Sequence, residues 1–208
     1  YVPEDDNKDN AYVEFNLSDY DKKDSELIYY SSVEEAILNS PLNTENEEFS
    51  VPEDFLNHVD EILHIWNGKQ YDTIFYRAGS DNDPVQGFVI ARCKKQVEEA
   101  TVQYAFMNAT PVTTKADSIL ISDITELIHS SLKLSDFQQD LNPNYPDTRF
   151  VFGYAHDKEI YSLEVEGQKP DGVIEINVYD RTMYLWYYDD LKSDKRGNNL
   201  SYSVDMPE

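Results

Sequence analysis

Four segments in the C-terminal half of the chain alternate apolar and polar residues with a period of two: 149–155, 160–166, 173–179 and 182–188. That is the pattern of half-buried strands, whose successive side chains point to opposite faces. The last two flank Asp180-Arg181, which predicts a two-residue hairpin loop pairing Tyr179 with Thr182, Asn177 with Tyr184 and Glu175 with Trp186. One face of this hairpin holds Ile174, Ile176, Val178, Met183, Leu185 and Tyr187 and reads as core. The other holds Glu175, Asn177, Tyr179, Tyr184, Trp186 and Tyr188. It mixes rings with a carboxylate and an amide, and is expected to meet a partner.

Upstream, the apolar spacing changes from two to between three and four. Ser32 and Glu35 have capping-box spacing, which predicts a short helix through Leu38 that buries Val33, Ala36 and Ile37 before Pro41. Residues 52–58 read as a second short helix handing over to a strand before Asn67-Gly68, with a single helix to Trp66 as the other reading. Strands follow at 71–77, 87–95 and 101–107, with turns at 80–84 and 96–99. A longer helix is predicted over 119–134, with Asp123 and Glu126 at cap spacing and a stripe of Ile124, Leu127, Ile128 and Leu132.

The chain thus does one thing twice, a helix and then a run of antiparallel strands, first over 27–113 and again over 117–192. The expected class is α+β: antiparallel sheets with few covering helices, arranged as two lobes or as one two-part sandwich. Residues 1–26 read as an acidic, loosely ordered leader and 193–208 as a polar tail.

Charge narrows the partners. The 208 residues carry a formal net charge of −24, and residues 1–61 hold 18 Asp and Glu against 3 Lys. Such a field opposes binding to nucleic acid and to anionic membrane surfaces, and suits solubility or attraction of basic proteins and cations. Cys93 is the only cysteine, so an intramolecular disulfide and a multi-cysteine metal site are excluded; in the apolar strand 88–94 it reads as a buried, inert thiol. No apolar run approaches the ~18–20 residues of a membrane span. The start at Tyr1-Val2-Pro3, without Met, is read as a trimmed end, so the lack of a signal peptide carries no information.

Catalytic and metal patterns are missing. His58, His64, His129 and His156 form no His-x-His or His-Glu-x-x-His motif, and there is no Gly-x-Ser-x-Gly elbow or glycine-rich phosphate loop. Asp5, Asn7 and Asp9 open like a calcium loop, but Asn10 replaces its glycine and Asn16 its closing glutamate. Asp81 and Asp83 are better explained by the turn chemistry of Asp-Asn-Asp-Pro. The expectation is a protein that is not an enzyme, with no cofactor and no metal.

The order YYSSVEEAI, DTIFYRAG, GFVIARCKK, VFGYAHDKEIYSLEVEG and MYLWYYDDL resembles small extracytoplasmic lipoproteins of Gram-positive bacteria with no assigned function, over about residues 27–190. The resemblance rests on strand patterns and implies anchoring at the cell surface, with the acidic leader as spacer; a lipobox is not in this chain. The functional expectation is a non-enzymatic extracytoplasmic protein binding an unknown protein or small ligand through a sheet surface at Glu175, Asn177, Tyr184, Trp186 and Tyr188. The alternative is a cytoplasmic acidic inhibitor, an immunity protein or nucleic-acid mimic, of a basic protein.

Overall fold

Alternation in the strands and the two apolar helical stripes resolve into four stacked layers: helix, sheet, sheet, helix. The computed structural model describes residues 22–40, 55–79, 85–115, 123–133, 149–178 and 181–206. The α+β class with few helices and mostly antiparallel sheets holds. The acidic run at 5–9, whose residues do not complete a calcium loop, and the expected turn at 80–84 lie outside the described residues.

The first sheet contains β1 (Glu61–Asn67), β2 (Tyr71–Ala78), β3 (Val85–Glu98) and β4 (Thr101–Lys115), neighbours in that order and all antiparallel. A 3-10 turn at Phe55–Asn57 precedes β1, so the helix-then-strand reading of this stretch is the correct one. Its outer face is covered by α1 (Val33–Asn39), which buries Val33, Ala36 and Ile37 against Ile74, Tyr76, Val89, Cys93 and Phe106. The Ser32 side chain accepts the Glu35 amide N–H at 3.1 Å, while the Glu35 carboxylate takes the Ser31 amide and hydroxyl. One orphan donor at the helix start is thereby satisfied.

The β3–β4 hairpin is longer than its apolar alternation indicates. Residues 96–98 stay in the strand, and the chain reverses at Glu99 and Ala100, both with positive φ (45° and 72°). Beyond β2, among the described residues, this ribbon has no neighbouring strand to bury against, so Gln96 and Glu98 carry no apolar signal.

The second sheet has the order β5-β8-β7, from β5 (Val151–Ala155), β7 (Gly172–Val178) and β8 (Arg181–Tyr188). Its outer face packs on α2 (Ile124–Lys133) through Ile124, Ile128 and Leu132. Asp123 accepts the Thr125 amide at 2.7 Å at the start of that helix. Gly153 on β5 is what lets α2 approach: a Cβ there would lie 2.3 Å from Trp186 Cζ2 and 2.4 Å from Ser131 Oγ.

The inner faces of the two sheets meet in an aromatic layer. Trp66 stacks on Phe150 at 4.6 Å, and Phe75 meets Phe152 edge-on at 5.2 Å, with Ile176, Met183 and Leu185 of the second sheet filling the rest. The sandwich layer therefore draws side chains from both of the expected helix-plus-sheet units.

Two expectations about the second unit change. The segment 160–166 is not one strand: Lys158–Ser162 is a 3-10 turn that buries Ile160, followed by the two-residue β6 (Glu164–Val165). The stretch 193–208 is also no loose polar tail over its described part. Leu200 is buried beside Leu191, and β9 (Tyr202–Ser203) pairs with β6. A polar clamp holds this return: Glu166, at positive φ, takes the Ser201 amide at 2.5 Å, the Ser201 hydroxyl at 2.7 Å and the Lys195 ammonium at 2.9 Å. These partners hold the Glu166 carboxyl down at about 2.

Candidate functional site on the outer face of the second sheet

The hairpin register differs from expectation by two residues. Val178 pairs with Arg181, Glu175 with Tyr184 and Val173 with Trp186. A two-residue connection favours residues that accept positive φ, and Arg181 is poor in that role, so it joins the strand. A shift of two conserves the side-chain phase. The core set of Ile174, Ile176, Met183 and Leu185 still faces the other sheet, and Glu175, Tyr184, Trp186 and Tyr188 still share the opposite face.

That opposite face is not open along its length. Trp186 is 0% exposed and Tyr188 2% exposed, both in the cluster that joins Ile124, Ile128 and Leu132 of α2 to Ile160, Leu163, Val165 and Leu200. The Tyr188 hydroxyl donates to the Gln168 carbonyl at 3.0 Å and accepts the Val165 amide at 3.2 Å, which fixes it as an interior strut. Burial lifts its pKa well above the phenolic range. Neither ring can touch a partner while α2 is seated, so the expectation for these two residues is corrected: the apolar stripe of α2 needed a surface, and theirs supplied it.

The remaining three residues sit at the uncovered end. Glu175 and Asn177 are exposed on β7, and Tyr184 is half-buried beside them. The structure adds a fourth member, Tyr161 of the 3-10 turn, 51% exposed. Its hydroxyl donates to Glu175 Oε1 at 2.9 Å, and its ring meets that of Tyr184 edge-on at 5.7 Å. The hydrogen bond to Glu175 holds the Tyr161 proton on, raising its pKa. Burial and then the fields of Glu175, Glu159 and Asp157 do the same for Tyr184. Sequence reasoning missed Tyr161 because 160–166 was read as a strand; Ile160 and Leu163, three apart and both buried, are the spacing that marks the turn.

A second polar cluster joins the two sheets. The His64 ring stacks on Tyr187 at 4.0 Å, and its Nε2 lies 3.3 Å from Asp189 Oδ1. Asp189 in turn gives its amide N–H to Asp171 at 2.7 Å. The irregularity of β1 between Ile62 and His64 is what turns His64 toward the second sheet. The pair clips β1 of the first sheet to the end of β8 in the second. Among the described residues no group of three or more His, Cys, Asp and Glu is placed to hold a metal ion. Cys93 lies in the α1 core with its thiol pushed up to about 12 by burial, the form least suited to attack or ligation. None of the described helices is long and apolar enough to cross a membrane.

Comparison with known proteins yields no relative: no family model matches the chain, and no curated protein or solved structure does either.

Proposed function

We propose that this is a non-enzymatic binding protein that meets its partner through the open end of the second sheet's outer face, at Glu175, Asn177 and Tyr184 with Tyr161. The observation that carries the reading is the pinned pair of rings. Tyr161 and Tyr184 meet edge-on beside a carboxylate, Tyr161 held by its 2.9 Å hydrogen bond to Glu175 and Tyr184 by its half-buried packing on the α2 cluster. Aromatic planes beside a fixed carboxylate and amide form a surface whose contact area costs little side-chain entropy to order. The resemblance to surface lipoproteins supports placing this work outside the cell, with the acidic leader as spacer. The cytoplasmic alternative, an acidic inhibitor of a basic protein, draws on the −24 charge alone.

The test is a photocrosslinking amino acid at position 177, exposed on β7, against the same probe at position 129, exposed on α2. The expected result, in cells of the source organism, is a discrete adduct from 177 that position 129 does not give. Equal labelling from both positions removes the reading. Fractionation of the complete gene product separates the two compartments: a membrane-bound, lipid-labelled species favours the surface protein, and a free cytoplasmic one the inhibitor.

A further inference from the structure

The sheet edges of this protein are not treated alike. β1, at one edge of the first sheet, is broken by a bulge at Ile62/His64, and β4 at the other edge is capped by a bridge from Tyr104 to Tyr30. Bulges and covering segments of this kind stop stray strands from adding to a sheet. β7 has neither. It is an edge strand of seven residues in unbroken register with β8, and among the described residues nothing pairs with its other side. It carries no proline and no lysine.

The face flanking that bare edge is selective in charge. Glu175 points outward from the middle of β7, with Glu159 and Asp157 close enough for their fields to reach Tyr184. None of the three carboxylates has an ion-pair partner among the described residues. Lys158 and Arg181, exposed on the adjoining elements, pair with none of them.

We infer that β7 accepts an extended segment of a partner protein by strand addition, and that the segment presents a lysine or arginine to Glu175 and the Tyr161–Tyr184 rings. This rests on the reading of the face given above and names its occupant. An added strand lies about 4.8 Å from β7, and its alternate side chains fall on the same outer face as Glu175. An arginine or lysine there is one strand from Glu175 and two, about 9–10 Å, from Tyr184. Its long side chain meets first the Glu175 carboxylate, without an ion-pair partner among the described residues, and the Tyr161 ring bonded to it. The net charge of −24 steers a basic segment inward and works against the other ready occupant, the β7 of a second copy, whose own Glu175 would be brought to the same interface.

The experiment uses the full chain and three capped heptapeptides. One alternates valine with arginine, the second has citrulline in place of arginine, and the third is the arginine peptide with methylated backbone nitrogens. Backbone NMR maps the contact, and amide exchange reads the strand pairing. The expected result is that the arginine peptide shifts and protects β7 amides. Citrulline, N-methylation and the Glu175→Gln substitution each weaken binding about tenfold, the loss of one charge-assisted or main-chain set of contacts.

Equal binding of the citrulline peptide at β7 overturns the cationic occupant while the face remains a binding site. Shifts scattered over the acidic surface, unaffected by N-methylation, overturn strand addition. A concentration-dependent dimer that protects β7 amides makes the occupant a second copy and also overturns the inference. If no peptide touches β7 and the position-177 crosslink fails as well, the reading of the face falls with it.

Discussion

Replacing Gly153 by Ala tests the step on which the site assignment turns, the seating of α2 over Trp186. The added Cβ would lie 2.3 Å from Trp186 Cζ2, 2.4 Å from Ser131 Oγ and 2.7 Å from Ser131 Cβ. Carbon atoms in contact prefer about 3.5–4.0 Å, so both neighbours are more than 1 Å too close. Trp186 is wholly buried and cannot swing aside, and Ser131 is fixed to a helix through its bond to the Leu127 carbonyl at 2.9 Å. The helix itself must lift, loosening Ile128 and Leu132. Overpacking of this kind costs about 1–3 kcal/mol. Loss of glycine freedom in the unfolded chain returns about 0.4–1 kcal/mol. The net expectation spans about 0–2.6 kcal/mol of destabilisation, with its centre near about 1.3 kcal/mol or roughly 3–5 °C in Tm for a chain of this size. Urea unfolding with an unchanged m-value measures it.

The companion variant is Trp186→Phe, which removes Cζ2. Among the described residues Trp186 Nε1 meets no acceptor, so the smaller ring also deletes an unsatisfied donor. In the Gly153→Ala background it should relieve the clash, giving a favourable coupling of at least about 0.5 kcal/mol in the double-mutant cycle. If Gly153→Ala is neutral and the two changes add without coupling, α2 does not rest on β5 and Trp186 as described. The Trp186 face would then be open after all.

Two further outcomes follow from the perturbed groups. Glu166, held at about 2 against an ordinary 4.5, stabilises the fold above pH 4.5, and that contribution is lost as pH falls from 4.5 toward 2. Urea midpoints measured across this range should drop for the wild type and stay flatter for Glu166→Gln; identical pH profiles would show the clamp on residues 195–203 to be idle. Cys93, at about 12, has a thiolate fraction at pH 8 about a thousandfold below that of a free thiol. Iodoacetamide labelling followed by mass spectrometry should therefore be slow in the native protein and fast in denaturant, and rapid native labelling would refute the buried α1 core.

What the sequence carried well was local and periodic. The Ser32 cap with Val33, Ala36 and Ile37, and the α2 stripe of Ile124, Ile128 and Leu132, were legible because each depends on neighbours within one or two turns. The two faces of the β7–β8 hairpin were legible even though the register was not, since a shift of two leaves every side chain on its own face. What stayed hidden was set by residues far apart in the chain. Alternation says that Trp186 and Tyr188 share a face with Glu175; it does not say which layer lies above them. The docking of 193–206 depends on Glu166 reaching Ser201 and Lys195, a contact with no periodic trace. Tyr161 was lost with the misread strand, although the spacing of Ile160 and Leu163 held the signal.

The position of the open surface follows from element lengths. A ten-residue helix such as α2 rises about 15 Å, whereas an eight-residue strand such as β8 runs about 27 Å and a three-stranded sheet adds about 10 Å of width. One such helix cannot roof the outer face, and Gly153 decides where it sits by admitting it closely at β5. The 3-10 turn and the C-terminal return cover more of it through Ile160, Leu163 and Leu200, and Glu175 and Asn177 on β7 stay exposed. If that remainder were only solvent-facing scaffold, charged and small polar residues would suffice there. Instead two tyrosines stand there, one of them fixed to Glu175, and among the described residues the adjoining strand edge is regular and bare. Tyr184 is half-buried against the α2 cluster, whereas Tyr161, 51% exposed, keeps much of its ring in water. On the proposed reading, a second molecule supplies the layer that these elements leave off Glu175, Asn177 and Tyr161.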